Sequence, residues 1–213
     1  MKPWAIVLAA GSGERFGRAK QFRELAGRRL VDRVVDAVTA VCEAVVVVLP
    51  AGAAWDGPPV RATPAGGGVR AESVRAGLAA VPSHVPVVVV HDAAHPLVTT
   101  ALLSRVIAAV EAGADAAVPV LPVTETTRRL AGGAFTETIA RDGLVLVQSP
   151  QAFRTAALRR AHERRPALGD DSVLVEASGG RVVAVPGDPF NVHVTSPTEL
   201  LLAEALVTAR RPA

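Results

Sequence analysis

Trp4-Ala5-Ile6-Val7-Leu8-Ala9-Ala10-Gly11-Ser12-Gly13-Glu14-Arg15-Phe16-Gly17-Arg18-Ala19-Lys20 is the stretch on which the fold turns. Trp4 to Ala9 is apolar throughout, as a strand covered on both faces requires, and a glycine-rich loop ends it. Working outward, the same unit returns. Leu30 to Val41 carries apolar residues at helical spacing, and Ala44 to Leu49 is a second buried strand ended by Pro50. Ala51 to Gly68, rich in Pro and Gly, reads as a loop with at most a short strand. Ala71 to Val81 reads as helix, Val87 to Val90 as a third β-branched run, Thr99 to Ala112 as helix and Ala116 to Val120 as strand. Apolar strands alternating with amphipathic helices predict a parallel, doubly wound α/β sheet.

The rhythm breaks between Leu121 and Gln148, where Thr-rich and Gly-rich pieces alternate in character; this stretch is expected to leave the sheet as a β-arm. Helices at Thr155 to Arg165 and Asp171 to Ser178, a strand at Arg181 to Val185 and a helix at Pro197 to Ala209 follow. With 213 residues, no internal repeat and no linker, the expectation is one domain over residues 1–213, its arm at 122–148 included. Half the residues are hydrophobic and 20% are charged, which argues against disorder.

The single cysteine, Cys42, rules out an internal disulfide framework and fits a reducing compartment; it precedes an apolar run and reads as a buried structural thiol. The formal charge of +3 is scattered rather than gathered into a block, which argues against a nucleic-acid partner. No apolar run reaches membrane-spanning length, and Trp4 to Ala10 is too short for a signal-peptide core. A cytoplasmic location with no membrane partner is expected.

Ligands of parallel α/β sheets bind beyond the carboxyl ends of the strands. At the first such end, glycines free backbone N–H groups to face phosphate oxygens, while Arg15 and Lys20 supply full charges. The dinucleotide fingerprint fails because Phe16 stands where its third glycine belongs, and the P-loop pattern fails because Gln21 follows Lys20. Lys2 and Lys20 are the only lysines in an arginine-rich chain, so a compact point charge is wanted beside this loop. The third strand ends in His91-Asp92-Ala93-Ala94-His95-Pro96. Asp92, at a strand's carboxyl end beside a phosphate loop, is placed to hold Mg²⁺, which needs only one or two carboxylates besides phosphate and water. His91 and His95 have i, i+4 spacing, but Pro96 disfavours a continuing helix and no third zinc ligand lies near.

Taken in order, these segments resemble the 2-C-methyl-D-erythritol 4-phosphate cytidylyltransferase family. The resemblance rests on Ala9-Ala10-Gly11-x-Gly13-x-Arg15 with Lys20-Gln21-Phe22, on Gly66-Gly67-x-x-Arg70-x-x-Ser73-Val74-x-x-Gly77-Leu78, and on His91-Asp92-Ala93-Ala94-x-Pro96. Pro122-Val123-x-Glu125-Thr126, Gln148-Ser149-Pro150-Gln151-x-Phe153, Asp170-Asp171 and Val194-Thr195-x-Pro197-x-x-Leu200 complete it over nearly the whole chain. The resemblance implies a Rossmann-like core and a homodimer in which each arm completes the partner's site. It implies transfer of CMP from CTP to a small phosphorylated polyol, with Mg²⁺ as cofactor and pyrophosphate released. By position, Ala10, Gly11, Gly13, Gly67 and Ser73 would hold CTP, Arg15 and Lys20 the reacting α-phosphate, and Asp92 the metal. Thr126 and Arg141 from the partner's arm, together with His95 and His193, would meet the acceptor.

The acceptor half departs from the family pattern, while the nucleotide half is nearly intact apart from loop length. His95 stands where the family usually has Arg, and His193 where it usually has Lys; the loop from Arg15 to Lys20 is about two residues short, and Ala19 replaces a Pro. Asp171 stands where Glu is usual. Two permanent charges become imidazoles titrating near pH 6.5, which a dianionic phosphate would raise. The expected acceptor is 2-C-methyl-D-erythritol 4-phosphate. The alternatives are another polyol phosphate such as ribitol 5-phosphate, a phosphonate, a CTP-binding protein without turnover, or a sugar-nucleotide pyrophosphorylase. Arg128, Arg129 and Arg181 are candidates to restore the lost charge.

Overall fold

The computed structural model describes residues 2–11, 20–163 and 170–209. Strand β1 is Trp4–Leu8, followed after a 3₁₀ turn at Lys20–Phe22 by the two-residue strands β2 (Glu24–Leu25) and β3 (Arg28–Arg29). Ala26 and Gly27 join these two with φ of 50° and 75°, as a two-residue hairpin turn of matching twist requires. Helix α1 (Leu30–Thr39), β4 (Ala44–Val48), α2 (Arg70–Ala79), β5 (Val87–Asp92), α3 (Thr100–Glu111) and β6 (Ala116–Pro122) continue the alternation. The arm then supplies β7 (Thr127–Ala131), β8 (Ala134–Ile139) and β9 (Val145–Val147). Strand β10 (Gln151–Arg154), α4 (Thr155–Glu163), α5 (Asp171–Ala177), β11 (Val182–Pro186) and α6 (Pro197–Ala209) complete the order.

The main sheet runs β11-β6-β10-β5-β1-β4, with β9 added alongside β6. Strand β1 pairs in parallel with β4 and β5, and β11 in parallel with β6. The sheet is therefore mostly parallel with helices against it, the α/β class the sequence predicts. Strand β10, which the sequence reading does not separate from its loop, is inserted antiparallel between β5 and β6. The predicted arm is a twisted ribbon: β7 and β8 form an antiparallel pair, and β9 returns against the end of β6.

The pleat explains why the strands are apolar throughout. Ala5, Val7, Val45, Val47, Val87 and Val89 point to one face, into a cluster with Val31, Val34, Val35 and Val38 of α1 and Leu102, Leu103 and Val106 of α3. Trp4, Ile6, Val46, Val48, Val88 and Val90 point to the other, against Val74 and Leu78 of α2 and Leu158 of α4. Each fully buried aliphatic side chain contributes roughly 1.5–3 kcal/mol from water exclusion, so both faces are held firmly. Cys42 is buried at the rim of the first cluster, and burial pushes its thiol up to about 12, consistent with a structural role. Helix boundaries fall within about two residues of the periodicity, α1 stopping at Thr39 rather than Val41.

Candidate active site

Three chain segments meet beyond the carboxyl ends of β1, β4 and β5. Ala9 N–H donates to Val48 O at 2.8 Å, and Ala93 N–H to Leu8 O at 3.0 Å, so the strand ends stay in register as they leave the sheet. Buried Gln21 then staples the start of the glycine loop, its amide donating to Ala9 O at 2.7 Å and to Gly11 O at 3.2 Å. Gly66 is the point of closest approach. A Cβ there would meet the Cβ of Ala10, and Ser73 Oγ at 2.7 Å, so a side chain would force the loop after β1 away from the start of α2.

A cavity of about 530 Å³ opens between these segments. Ala10, Gly11, Lys20, Gly67, Ser73, Asp92 and His193, all predicted site residues, line it together. The start of α2, at Gly68, Val69 and Arg70, faces the same space and directs the positive end of a helix dipole into it. Gly13 and Arg15 lie outside the described residues. Thr126 and Arg141 sit on the arm and do not line the cavity of their own chain; both are exposed, and Arg141 donates to Thr124 O.

Asp92 is the one carboxylate among the lining residues, with a side chain 31% exposed. A single carboxylate with room beside it suits Mg²⁺, which takes its remaining oxygens from phosphate and water. Among the described residues, no three His, Cys, Asp or Glu groups converge as an all-protein cage. The backbone of Asp92 is locked. Its N–H donates to Ser149 Oγ at 2.9 Å, and that hydroxyl lies 2.7 Å from His91 Nδ1. Because His95 O can only accept, His91 Nε2 carries the proton and donates to it at 3.2 Å, which leaves Nδ1 of the neutral ring to accept from Ser149 Oγ. That tautomer is neutral. Burial, with help from His95, pushes His91 down to about 3, so both ring nitrogens serve the loop.

The two histidine departures from the family pattern are neighbours in space. The rings of His95 and His193 stack with centroids 4.4 Å apart and an interplanar angle of 13°. His95 Nδ1 is 3.2 Å from Asn191 O, and Val194 N–H donates to Ala94 O at 2.8 Å, so the segment around His193 is tied to the loop after β5. The sequence suggests histidines titrating near pH 6.5; the fold holds both lower. Burial lowers His95, and burial, then His95 and Lys20, push His193 down to about 4. Both rings are neutral at pH 7 in the absence of an anion. The candidate compensating arginines are elsewhere: Arg129 pairs with Glu137 at 3.0 Å and Arg128 covers Phe135, both on the arm, while Arg181 sits at the β11 edge.

Arg70, quoted in the sequence motif but given no role there, is the cation that sequence reasoning missed. Its Nε lies 3.7 Å from Asp92 Oδ1, and its guanidinium donates to Asp171. The missing signal is spatial: Arg70 and Asp171 are 101 residues apart.

The start of a glycine-rich loop, a helix N-terminus, a lysine and an aspartate converging beyond the strands of a mostly parallel sheet fit a class, the Rossmann-like nucleotide-binding proteins. Residues 4–209 match the model of one family within it, described as IspD: 2-C-methyl-D-erythritol 4-phosphate cytidylyltransferase. A 2-C-methyl-D-erythritol 4-phosphate cytidylyltransferase of Rubrobacter xylanophilus is 41% identical over 221 residues, covering 97% of this chain and 95% of that protein. The structure of the Thermus thermophilus protein of the same name superposes with a TM-score of 0.85 at 39% identity, covering 98% of this chain and 100% of that one. The bifunctional enzyme IspD/IspF of Solidesulfovibrio magneticus is 40% identical over 96% of this chain, which spans 57% of that enzyme's length. The chain belongs to the IspD family.

Proposed function

We propose that this protein transfers the cytidylyl group of CTP to 2-C-methyl-D-erythritol 4-phosphate, releasing pyrophosphate, as a cytoplasmic step in isoprenoid biosynthesis. The observation that carries this reading is the convergence of Gly11, Lys20, Gly67, Ser73 and Asp92 on one cavity beyond the strand ends. The names of the relatives supply the cytidylyl group and the acceptor.

An oxygen of the acceptor's phosphate attacks the α-phosphorus of CTP, forming a new P–O bond as the bond to the bridging oxygen of the β-phosphate breaks. Pyrophosphate leaves with the electron pair. The nucleophile is already anionic at neutral pH, so no general base is required; the protein's task is positioning and charge neutralisation. The N–H groups beside Gly11 and at the start of α2 hold the phosphates, and Lys20 faces the α-phosphate. Arg15 joins Lys20, and Gly13 joins the phosphate loop, in this reading. Asp92 would hold Mg²⁺, which would supply further neutralising charge when bound.

The protein acts as a homodimer in which Thr126 and Arg141 of each arm meet the acceptor in the partner's cavity. Support comes from the arm, which presents Leu130, Phe135, Leu146 and Val147 to solvent within one chain. The stacked pair of His95 and His193 favours a second acceptor, because neutral imidazoles replace the permanent charges that would grip a methylerythritol phosphate. Ribitol 5-phosphate, or a phosphonate, is that alternative.

Pyrophosphate release with CTP and Mg²⁺ decides among these. Release with 2-C-methyl-D-erythritol 4-phosphate, and none with ribitol 5-phosphate or without acceptor, is the expected result. Release only with ribitol 5-phosphate reassigns the acceptor, and CTP binding without release under any acceptor overturns the transfer reading.

A further inference from the structure

From the cavity wall inward runs a line of polar side chains, of which the transfer reading uses only Asp92. Asp171, the first residue of α5, has a side chain with no solvent exposure. His162 Nε2 of α4 donates to its Oδ1 at 2.9 Å, and the Arg70 guanidinium donates to its Oδ2. Arg70, the first residue of α2, directs its Nε towards Asp92 Oδ1 at 3.7 Å. Four side chains from three helices and the end of β5 thus run from the protein interior to the cavity.

The order of burial gives this line a direction. The side chains of Asp171 and His162 are 0% and 3% exposed, whereas those of Arg70 and Asp92 are 34% and 31% exposed. A fully buried carboxylate persists only when it is paired and its lone pairs are used, so Asp171 is the fixed end. A guanidinium is planar, so holding one part of it against Asp171 limits where the rest can point. The anchor is itself anchored. The neighbouring Asp170 caps α5, accepting from Ser172 N–H at 2.9 Å, and accepts from Gln151 Nε2 at 2.9 Å. Gln151 belongs to β10, which pairs with the strand carrying Asp92.

We propose that Arg70 is a positioning residue for the Asp92 carboxylate, and that the buried Asp171–His162 pair fixes Arg70. Ser149 and His91 set the backbone of Asp92; Arg70 sets its carboxylate. This inference rests on the transfer reading, because the orientation of Asp92 matters to turnover only if Asp92 serves the reacting nucleotide.

The test compares the full chain with Asp171→Asn, Asp171→Glu and Arg70→Gln variants. It measures thermal unfolding, steady-state kinetics, and Mn²⁺ binding in the presence of CTP by paramagnetic resonance. Supporting groups behind a metal ligand typically contribute about 10–100-fold in metal affinity or activity. Asp171→Asn is expected to lower kcat and weaken Mn²⁺ binding by about tenfold each, with KM for CTP within about twofold of the parent. Asp171→Glu, which keeps the charge, is expected to recover most of both. Because Asp171 is buried, Arg70→Gln is the independent arm should Asp171→Asn fail to fold; it retains the buried carboxylate and its histidine and is expected to show the same losses. Wild-type kcat and Mn²⁺ binding in either folded variant overturns the inference. So does a rise in KM for CTP at unchanged kcat, which makes Arg70 a direct nucleotide ligand. Silence of the parent protein with CTP and acceptor defeats the transfer reading instead, and the Mn²⁺ titrations then decide the positioning alone.

Discussion

At the nucleotide end of the cavity the chain closes on itself. Gln21 is buried against the backbone of the loop it follows, Gly66 leaves no room for a side chain against Ala10 and Ser73, and Gly77 brings α2 so close that a Cβ would stand 2.5 Å from Ile6 Cγ2. In the arm, Leu130, Phe135, Leu146 and Val147 stand 61%, 64%, 57% and 54% exposed. The nucleotide half is made of backbone and close packing that one chain can complete. The side chains proposed for the acceptor half, Thr126 and Arg141, are exposed and stand away from their own chain's cavity. If the arm completes a partner's site as proposed, the difference separates what a single chain supplies, the cradle for the nucleotide, from what an assembly would supply, the fit to the acceptor.

The largest expected effect falls on the nucleotide side. Lys20→Ala should lower kcat by about 10²–10³-fold, on the order of 3 kcal/mol of transition-state stabilisation. Its melting temperature should stay near the parent's, since Lys20 belongs to a three-residue 3₁₀ turn at the cavity. A kcat close to the parent's would remove Lys20 from the chemistry and with it the contrast between the two halves.

Next comes the arm. Replacing Phe135 and Leu146 with Asp together should weaken self-association by about 100-fold or more, because two large side chains lose the roughly 1.5–3 kcal/mol that burial of each would provide. Sedimentation should then show monomers that bind CTP normally and turn over slowly. Monomers with full activity would show that the acceptor site is complete within one chain.

The smallest effect is at the stacked histidines. His193→Lys restores a permanent charge beside Lys20, and KM for 2-C-methyl-D-erythritol 4-phosphate should fall by about threefold with little change in kcat. An unchanged or higher KM would favour a site retuned to another acceptor.

Much of this contrast is legible in the sequence, for a physical reason. Strands covered on both faces must be apolar at every position, so Trp4 to Leu8, Ala44 to Val48 and Val87 to Val90 stand out without any structural help. Glycines and charges at the ends of such runs point to Gly11, Lys20 and Asp92; the family resemblance adds Ala10, Gly67 and Ser73, and all six line one cavity. Strand β10 escapes this logic. Gln151-Ala152-Phe153-Arg154 is short, with polar ends, and Gln151 is buried because Asp170 receives its amide, a pairing that periodicity does not reveal. The Arg70–Asp171 contact is equally silent in one dimension. The state of the histidines fails for a third reason: their residue type suggests titration near pH 6.5, but burial lowers His95, and desolvation with the nearby His95 and Lys20 lowers His193.

Strand β10 has one more consequence, for the birth of the molecule. In the main sheet β5, β1 and β4 form one parallel block and β6 with β11 another, and the ladder between the blocks passes through the four residues of β10. A nascent chain that has emerged only as far as Pro150 holds β5 and β6 with no strand to bridge them, two open edges of the kind that recruit a wrong partner. Synthesis of Gln151 to Arg154 joins β6 to the first block, and β11 is added later on the other side of β6. Until those residues leave the ribosome, the aspartate end of the site and the base of the arm have no common ladder to hold them in place.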